Sequence, residues 1–153
     1  MSLPSDAAVK RRIRRRSHAD FRRLIADVWE REGWETRIDH ESQAHILASK
    51  QSAEGVAREA VQCHCLSKGN EVTVTQVEEH AALPAKAGVE TVTIVTTTGF
   101  TDSAESAGDV PYMTLLDGSD LVALLRANNA GDLLDTHAPP TLWARLIGAI
   151  VRR

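Results

Sequence analysis

Gln62 and His64 stand two positions apart in the run Ala60-Val61-Gln62-Cys63-His64-Cys65. On a strand, side chains two apart point to one face, so these two share a surface. His45 lies on the preceding apolar stretch, and a hairpin closed between the two stretches brings it to the same face. Imidazoles can relay protons near neutral pH or ligate a metal ion. The plainer reading, which composition alone favours, is a group of hydrogen-bonded polar residues at the rim of a sheet.

Cys63 and Cys65 alternate with Gln62 and His64 and face the other way. Cys63-His64-Cys65 is too tight for a structural zinc site, whose cysteines are usually separated by two or more residues, and His64 points away from both thiols. Two cysteines on one face of one strand are also poorly placed to bridge each other. They read as small buried apolar residues in a reducing compartment, and no metal is assigned to them. The chain has no phosphate-cradling glycine loop, dinucleotide fingerprint or Gly-x-Ser-x-Gly elbow.

These residues need strands to carry them. Phe21, Leu24, Ile25, Val28 and Trp29 recur at helical spacing, which predicts an amphipathic helix over 17–32 stopped by Gly33. Trp34, Thr36 and Ile38 alternate with charged residues, as in a half-buried strand. Strands at 44–49 and 60–66 follow, joined by a polar turn at 51–55. A turn at Lys68-Gly69-Asn70 leads to a helix started by a Thr75/Glu78 capping box and ended or kinked by Pro84. A β-branched strand at 91–97, a short helix capped by Thr101, a strand at 110–116 and a helix at 120–128 come next. Residues 129–140 read as a linker before an amphipathic helix at 141–152. Three strands in succession, then strands alternating with helices, predict an α/β fold with one mixed β-sheet flanked by helices. The alternation places Val61, Cys63 and Cys65 against a helix layer and Gln62 and His64 in a shallow cleft, with His45 beside His64.

The chain of 153 residues is 42% hydrophobic and 25% charged, enough to bury one core and too mixed for wholesale disorder. No apolar run is long enough to span a bilayer, and the N-terminus lacks the apolar stretch of a secretory signal. The expected location is cytoplasmic, without membrane association. A formal net charge of −3 is unevenly spread: residues 1–23 hold Lys10, Arg11, Arg12, Arg14, Arg15, Arg16, Arg22 and Arg23 against Asp6 and Asp20, while the remainder is acidic. Such a cationic segment suits a polyanionic partner or folds back on the acidic body. It either extends the first helix backwards or precedes it as an arm. The expected division is a basic N-terminal arm over 1–16, a domain over 17–130, and a linker with a terminal helix over 131–153.

Five stretches, Phe21–Trp34, Ala44–Ala48, Val61-Gln62-Cys63, Ile94–Thr101 and Leu115-Leu116-Asp117-Gly118, resemble in order and spacing the Mrr-type restriction endonuclease catalytic domain. The resemblance covers most of the chain. It implies a restriction-endonuclease-like fold of the PD-(D/E)xK superfamily and a divalent-metal-dependent phosphodiesterase. The family site sets an Asp on the second strand, a Glu or Gln and then a Lys two positions later on the third, and often a Glu at the start of the first helix. The carboxylate holds a cation that steadies the phosphate oxygens while water attacks.

In this chain those positions fall on His45, Gln62, His64 and Arg22. Gln62 alone keeps the family's residue type, so the active site reads as degenerate: Mg²⁺ prefers anionic oxygen and these four positions offer none. The resemblance therefore implies a catalytically degenerate module, without a cofactor, that binds DNA or a partner in restriction or defence. Arg11, Arg12, Arg14, Arg15, Arg16 and Arg22 are the expected nucleic-acid contacts. Two alternatives stay open. His45 and His64 could hold Mn²⁺ or Zn²⁺ in an active endonuclease, with Asp39 or Glu41 swinging in, or the chain could be a structural subunit of a larger assembly, as a homodimer or with a partner protein.

Overall fold

The central strands carry continuous buried runs, covered on both faces, and the molecule is built outward from them as a five-stranded sheet. The computed structural model describes residues 5–39 and 44–136; the expected helix at 141–152 and Glu41 lie outside them. Strands β1 (Glu35–Ile38), β2 (Ile46–Ser52), β3 (Gly55–His64), β4 (Thr91–Thr96) and β5 (Met113–Leu116) lie side by side in chain order. The first three pair antiparallel, with Ile46 opposite Val61 and Ser52 opposite Gly55 at the tight end of the hairpin. Gly55, at φ +124°, makes the reversal that an L side chain would resist. β3, β4 and β5 then pair parallel, so the sheet is mixed and flanked by helices, as expected.

The helices are α1 (Asp6–Arg14), α2 (His18–Arg31), α3 (Val74–His80), α4 (Leu83–Ala87), α5 (Asp102–Ala107), α6 (Gly118–Ala127) and α7 (Asp132–Thr136). One face of the sheet packs Ile46, Ala48, Val61, Cys63 and Val95 against α1, α2, α6 and α7. The other packs Ala60, Val92, Ile94 and Met113 against α3, α4 and α5. Odd residues of β3 therefore enter the first core and even residues face the second.

The basic run neither extends α2 nor trails as an arm. It forms a helix of its own, capped by the Ser5 hydroxyl and closed before Ser17 caps α2. Val9 and Ile13, four residues apart on one face, are 0% and 1% exposed; burying each such side chain stabilises by about 1.5–3 kcal/mol. Three other expectations shift. The capping box is Thr73 with Gln76, two residues earlier than expected. Pro84 sits in the first turn of α4, where a missing N–H costs nothing. Within the expected linker, α7 buries Leu133 and Leu134 and ties Asp132 to Arg31 at 2.5 Å.

No helix among the described residues is long and apolar enough to cross a membrane.

Candidate functional site

Where β2 begins and β3 ends, side chains replace the backbone ladder. The His45 N–H donates to Gln62 Oε1 at 2.6 Å, and the Cys63 N–H donates to His45 Nδ1 at 2.9 Å. His45 and His64 rings lie 6.2 Å apart, centre to centre. A third imidazole, His80 at the end of α3, joins them: its centre is 5.1 Å from that of His64, with Nε2 to Nε2 at 2.9 Å. Gln62 Nε2 meets His80 Nδ1 at 3.3 Å.

These bonds fix where the protons sit. A backbone N–H can only donate, so the Gln62 atom facing it is the carbonyl oxygen, and the amide nitrogen donates to His80 Nδ1. His80 then carries its proton on Nε2 and donates it to His64 Nε2, which leaves the His64 proton on Nδ1. By the same logic His45, accepting at Nδ1, is protonated at Nε2. All three rings are neutral. Burial, helped by the charges of Arg22, His64 and His18, pushes His45 down to about 4. Burial with His80 and His18 does the same for His64, and burial with His45 for His80.

Gln62, expected to face a shallow cleft, is only 1% exposed, because His80 lies against it from α3. Local spacing could not have signalled His80, which reaches the rim through the turn and helix that follow β3. Val61 and Cys63 face the α1 and α2 layer as expected, and Cys65 packs at its edge. Burial raises both thiols above the usual cysteine range, which keeps them protonated and unreactive.

Arg22, on α2, reaches the same rim: its charge acts on both His45 and Cys63. Its Nε is buried without a hydrogen-bond partner. Asp39 follows β1, where its N–H donates to the His45 carbonyl at 3.0 Å. The Mg²⁺ that the resemblance implies does not fit these residues. The four positions supply no carboxylate, the Gln62 oxygen already accepts from His45, and Arg22 adds a repelling charge. Among the described residues no group of three or more His, Cys, Asp or Glu is arranged to hold a metal ion.

The remaining arginines divide. Arg11, Arg12 and Arg15 are exposed, whereas Arg16 turns inward and donates to the Leu134 carbonyl. Arg14 lines a hollow of about 410 Å³ with Lys10, Lys68, Asn70, Thr98 and Gly99. That hollow opens where β3 and β4 end, at the same edge as His64, whose carbonyl accepts from Thr97 N–H at 3.1 Å. Glu71 is the carboxylate in its lining. Lys10, at the head of the basic run, and Lys68, a single lysine in a turn, were both absent from the expected contacts.

A family model described as "Restriction endonuclease" (Mrr_cat) matches residues 13–125. Among solved structures the chain is similar to the DNA modification-dependent restriction endonuclease AspBHI, at 18% identity and a TM-score of 0.68 over 97% of this chain and 42% of that one. It is similar to the MspJI restriction endonuclease in complex with a 27-mer oligonucleotide, at 22% and 0.58 over 99% of this chain and 37% of that one. AF1548, a protein of unknown function, gives 15% and 0.64 over 89% of this chain and 97% of its own. The chain thus spans less than half the length of AspBHI and MspJI, and at these identities the likeness speaks for the restriction-endonuclease-like fold. No curated protein matches it.

Proposed function

The chain belongs to the Mrr restriction endonuclease family, and from that membership we propose that it is a catalytically silent, DNA-binding form of the domain that works in the cytoplasm. The observation that carries this reading is the neutral network at the rim. The family's metal-binding and catalytic positions hold His45, Gln62 and His64, locked to one another and to His80 by hydrogen bonds, with the Arg22 cation beside them. Cleavage of a phosphodiester by water needs a cation on its oxygens and a polarised nucleophile. This rim has no anionic oxygen to hold the first and no lysine for the second.

DNA as the ligand is supported by the exposed arginines of α1 and by the hollow formed by Lys10, Arg14 and Lys68. The hollow presents its cations at the strand-end edge that also carries His64, and phosphate contacts of this kind dominate affinity and make it salt-dependent.

Supercoiled plasmid incubated with the protein and Mg²⁺ should stay intact, while a short duplex should bind with affinity that falls steeply as salt rises. Replacing Arg11, Arg12, Arg14 and Arg15 by Gln should weaken that binding by at least about tenfold and flatten its salt dependence. Magnesium-dependent cleavage that persists in His45→Ala and His64→Ala would sink the silent reading. The histidine-metal alternative has a third imidazole close by, His80, but the three rings are not arranged to hold a metal ion. Nicking in Mn²⁺ or Zn²⁺ that His45→Ala abolishes would establish it.

A further inference from the structure

A metal site presents acceptors, and this rim presents donors. With Nδ1 of His45 accepting from Cys63 and Nε2 of His64 accepting from His80, the protons on His45 Nε2 and His64 Nδ1 are left without an acceptor among the described residues. Arg22 adds a guanidinium whose Nε is buried with no partner. The one oxygen that could oppose an anion, Gln62 Oε1, already accepts from the His45 N–H. Of these donors Arg22 Nε is the buried one, and a buried charged donor without an acceptor is the costliest kind. A singly charged oxyanion would satisfy all three and balance the arginine, whereas a divalent cation would meet two N–H dipoles and a like charge. Guanidinium is also well suited to grip a phosphate through parallel N–H bonds.

We propose that the rim is an anion site, in which Arg22, His45 Nε2–H and His64 Nδ1–H seat a phosphate oxygen of a nucleic acid at the place where the family's geometry would seat a cation. The site deepens the DNA-binding reading and rests on it. A backbone phosphodiester and a terminal phosphate share this chemistry, and the ligands below separate them.

The histidine side-chain nitrogens of the full chain are followed by ¹H–¹⁵N NMR during titration with inorganic phosphate, thymidine 5′-monophosphate, the dinucleotide TpT and, separately, MgCl₂. Phosphate should move the His45 Nε2 and His64 Nδ1 signals saturably, and MgCl₂ should leave them in place. A tighter response to TpT than to the monophosphate assigns the site to backbone phosphate, and the reverse to strand ends. Arg22→Gln should weaken the response about tenfold, the loss of one charge-assisted hydrogen bond, and Arg22→Lys should retain part of it. Arg22→Glu should abolish it and make the same signals respond to Mn²⁺. If phosphate moves neither histidine, or moves both equally in Arg22→Gln, the anion site is wrong, and duplex binding through Lys10, Arg14 and Lys68 can still stand. If the unaltered chain binds neither duplex nor phosphate, the DNA-binding reading itself fails.

Discussion

Strand β3 buries polar groups at its middle and at its far end and treats charge in opposite ways. At mid-strand, Glu59 is 8% exposed, yet its carboxylate accepts from Trp29 Nε1 at 3.2 Å and from the Thr93 hydroxyl. At its far end, Gln62 and His64 sit in a neutral network with His45 and His80. The sheet can therefore carry a buried carboxylate wherever neighbouring helices and strands supply donors. The missing anion at the rim follows from the residue types at positions 22, 45 and 64, and not from any intolerance of the fold.

Each region can be broken separately. Glu59→Ala leaves the Trp29 indole and the Thr93 hydroxyl without their acceptor and opens a cavity, so urea unfolding should show a loss of about 2–4 kcal/mol. Gln62→Leu fills its space but strips partners from the His45 N–H and from His80 Nδ1. Its expected cost is smaller, about 1–3 kcal/mol, and a larger loss than that of Glu59→Ala would reverse the contrast between the two regions.

The mildest lever is pH. His45, His64 and His80 titrate near 4 in the folded chain against an ordinary value of about 6.5. As pH falls, the unfolded chain takes up protons first. Stability should therefore be full above about pH 6.5 and decline towards pH 4. Urea midpoints across that range should show the decline, and His80→Leu should make it shallower. An unchanged slope in that variant would mean the third imidazole is not part of the coupled group.

Much of this was legible in the sequence because β3 alternates cleanly: odd positions carry Val61 and Cys63 into one core, and Gln62 and His64 take the other face. What escaped depends on tertiary partners. His80 becomes part of the rim when α3 packs back over β3, and no local spacing encodes that return. Thr73 and Thr75 both have an acidic or amide residue three positions on. The choice between them is made by Val72, which bridges Phe100 and holds the chain extended up to Thr73. The apolar pair Val9 and Ile13 was hidden by the arginines around it, although its spacing of four is that of a helix face. Leu133 and Leu134 lay in a stretch whose Gly, Asn and Pro content suggested a linker.

The Val72–Phe100 bridge belongs to a larger set of ties between the segments that leave β3 and β4. The Val72 N–H donates to the Gly99 carbonyl at 3.0 Å and the Thr101 N–H to the Val72 carbonyl at 3.1 Å. The Thr97 hydroxyl both accepts from the Leu66 N–H and donates to the Leu66 carbonyl, each at 2.8 Å. The two exits are laced into a single floor beneath the basic hollow. On the DNA-binding reading proposed above, a strand of DNA arriving there would not have to wait for a loop to order itself. On that reading its capture would be set by the rate of encounter, which the cations of α1 would raise, and by how long the phosphates stay.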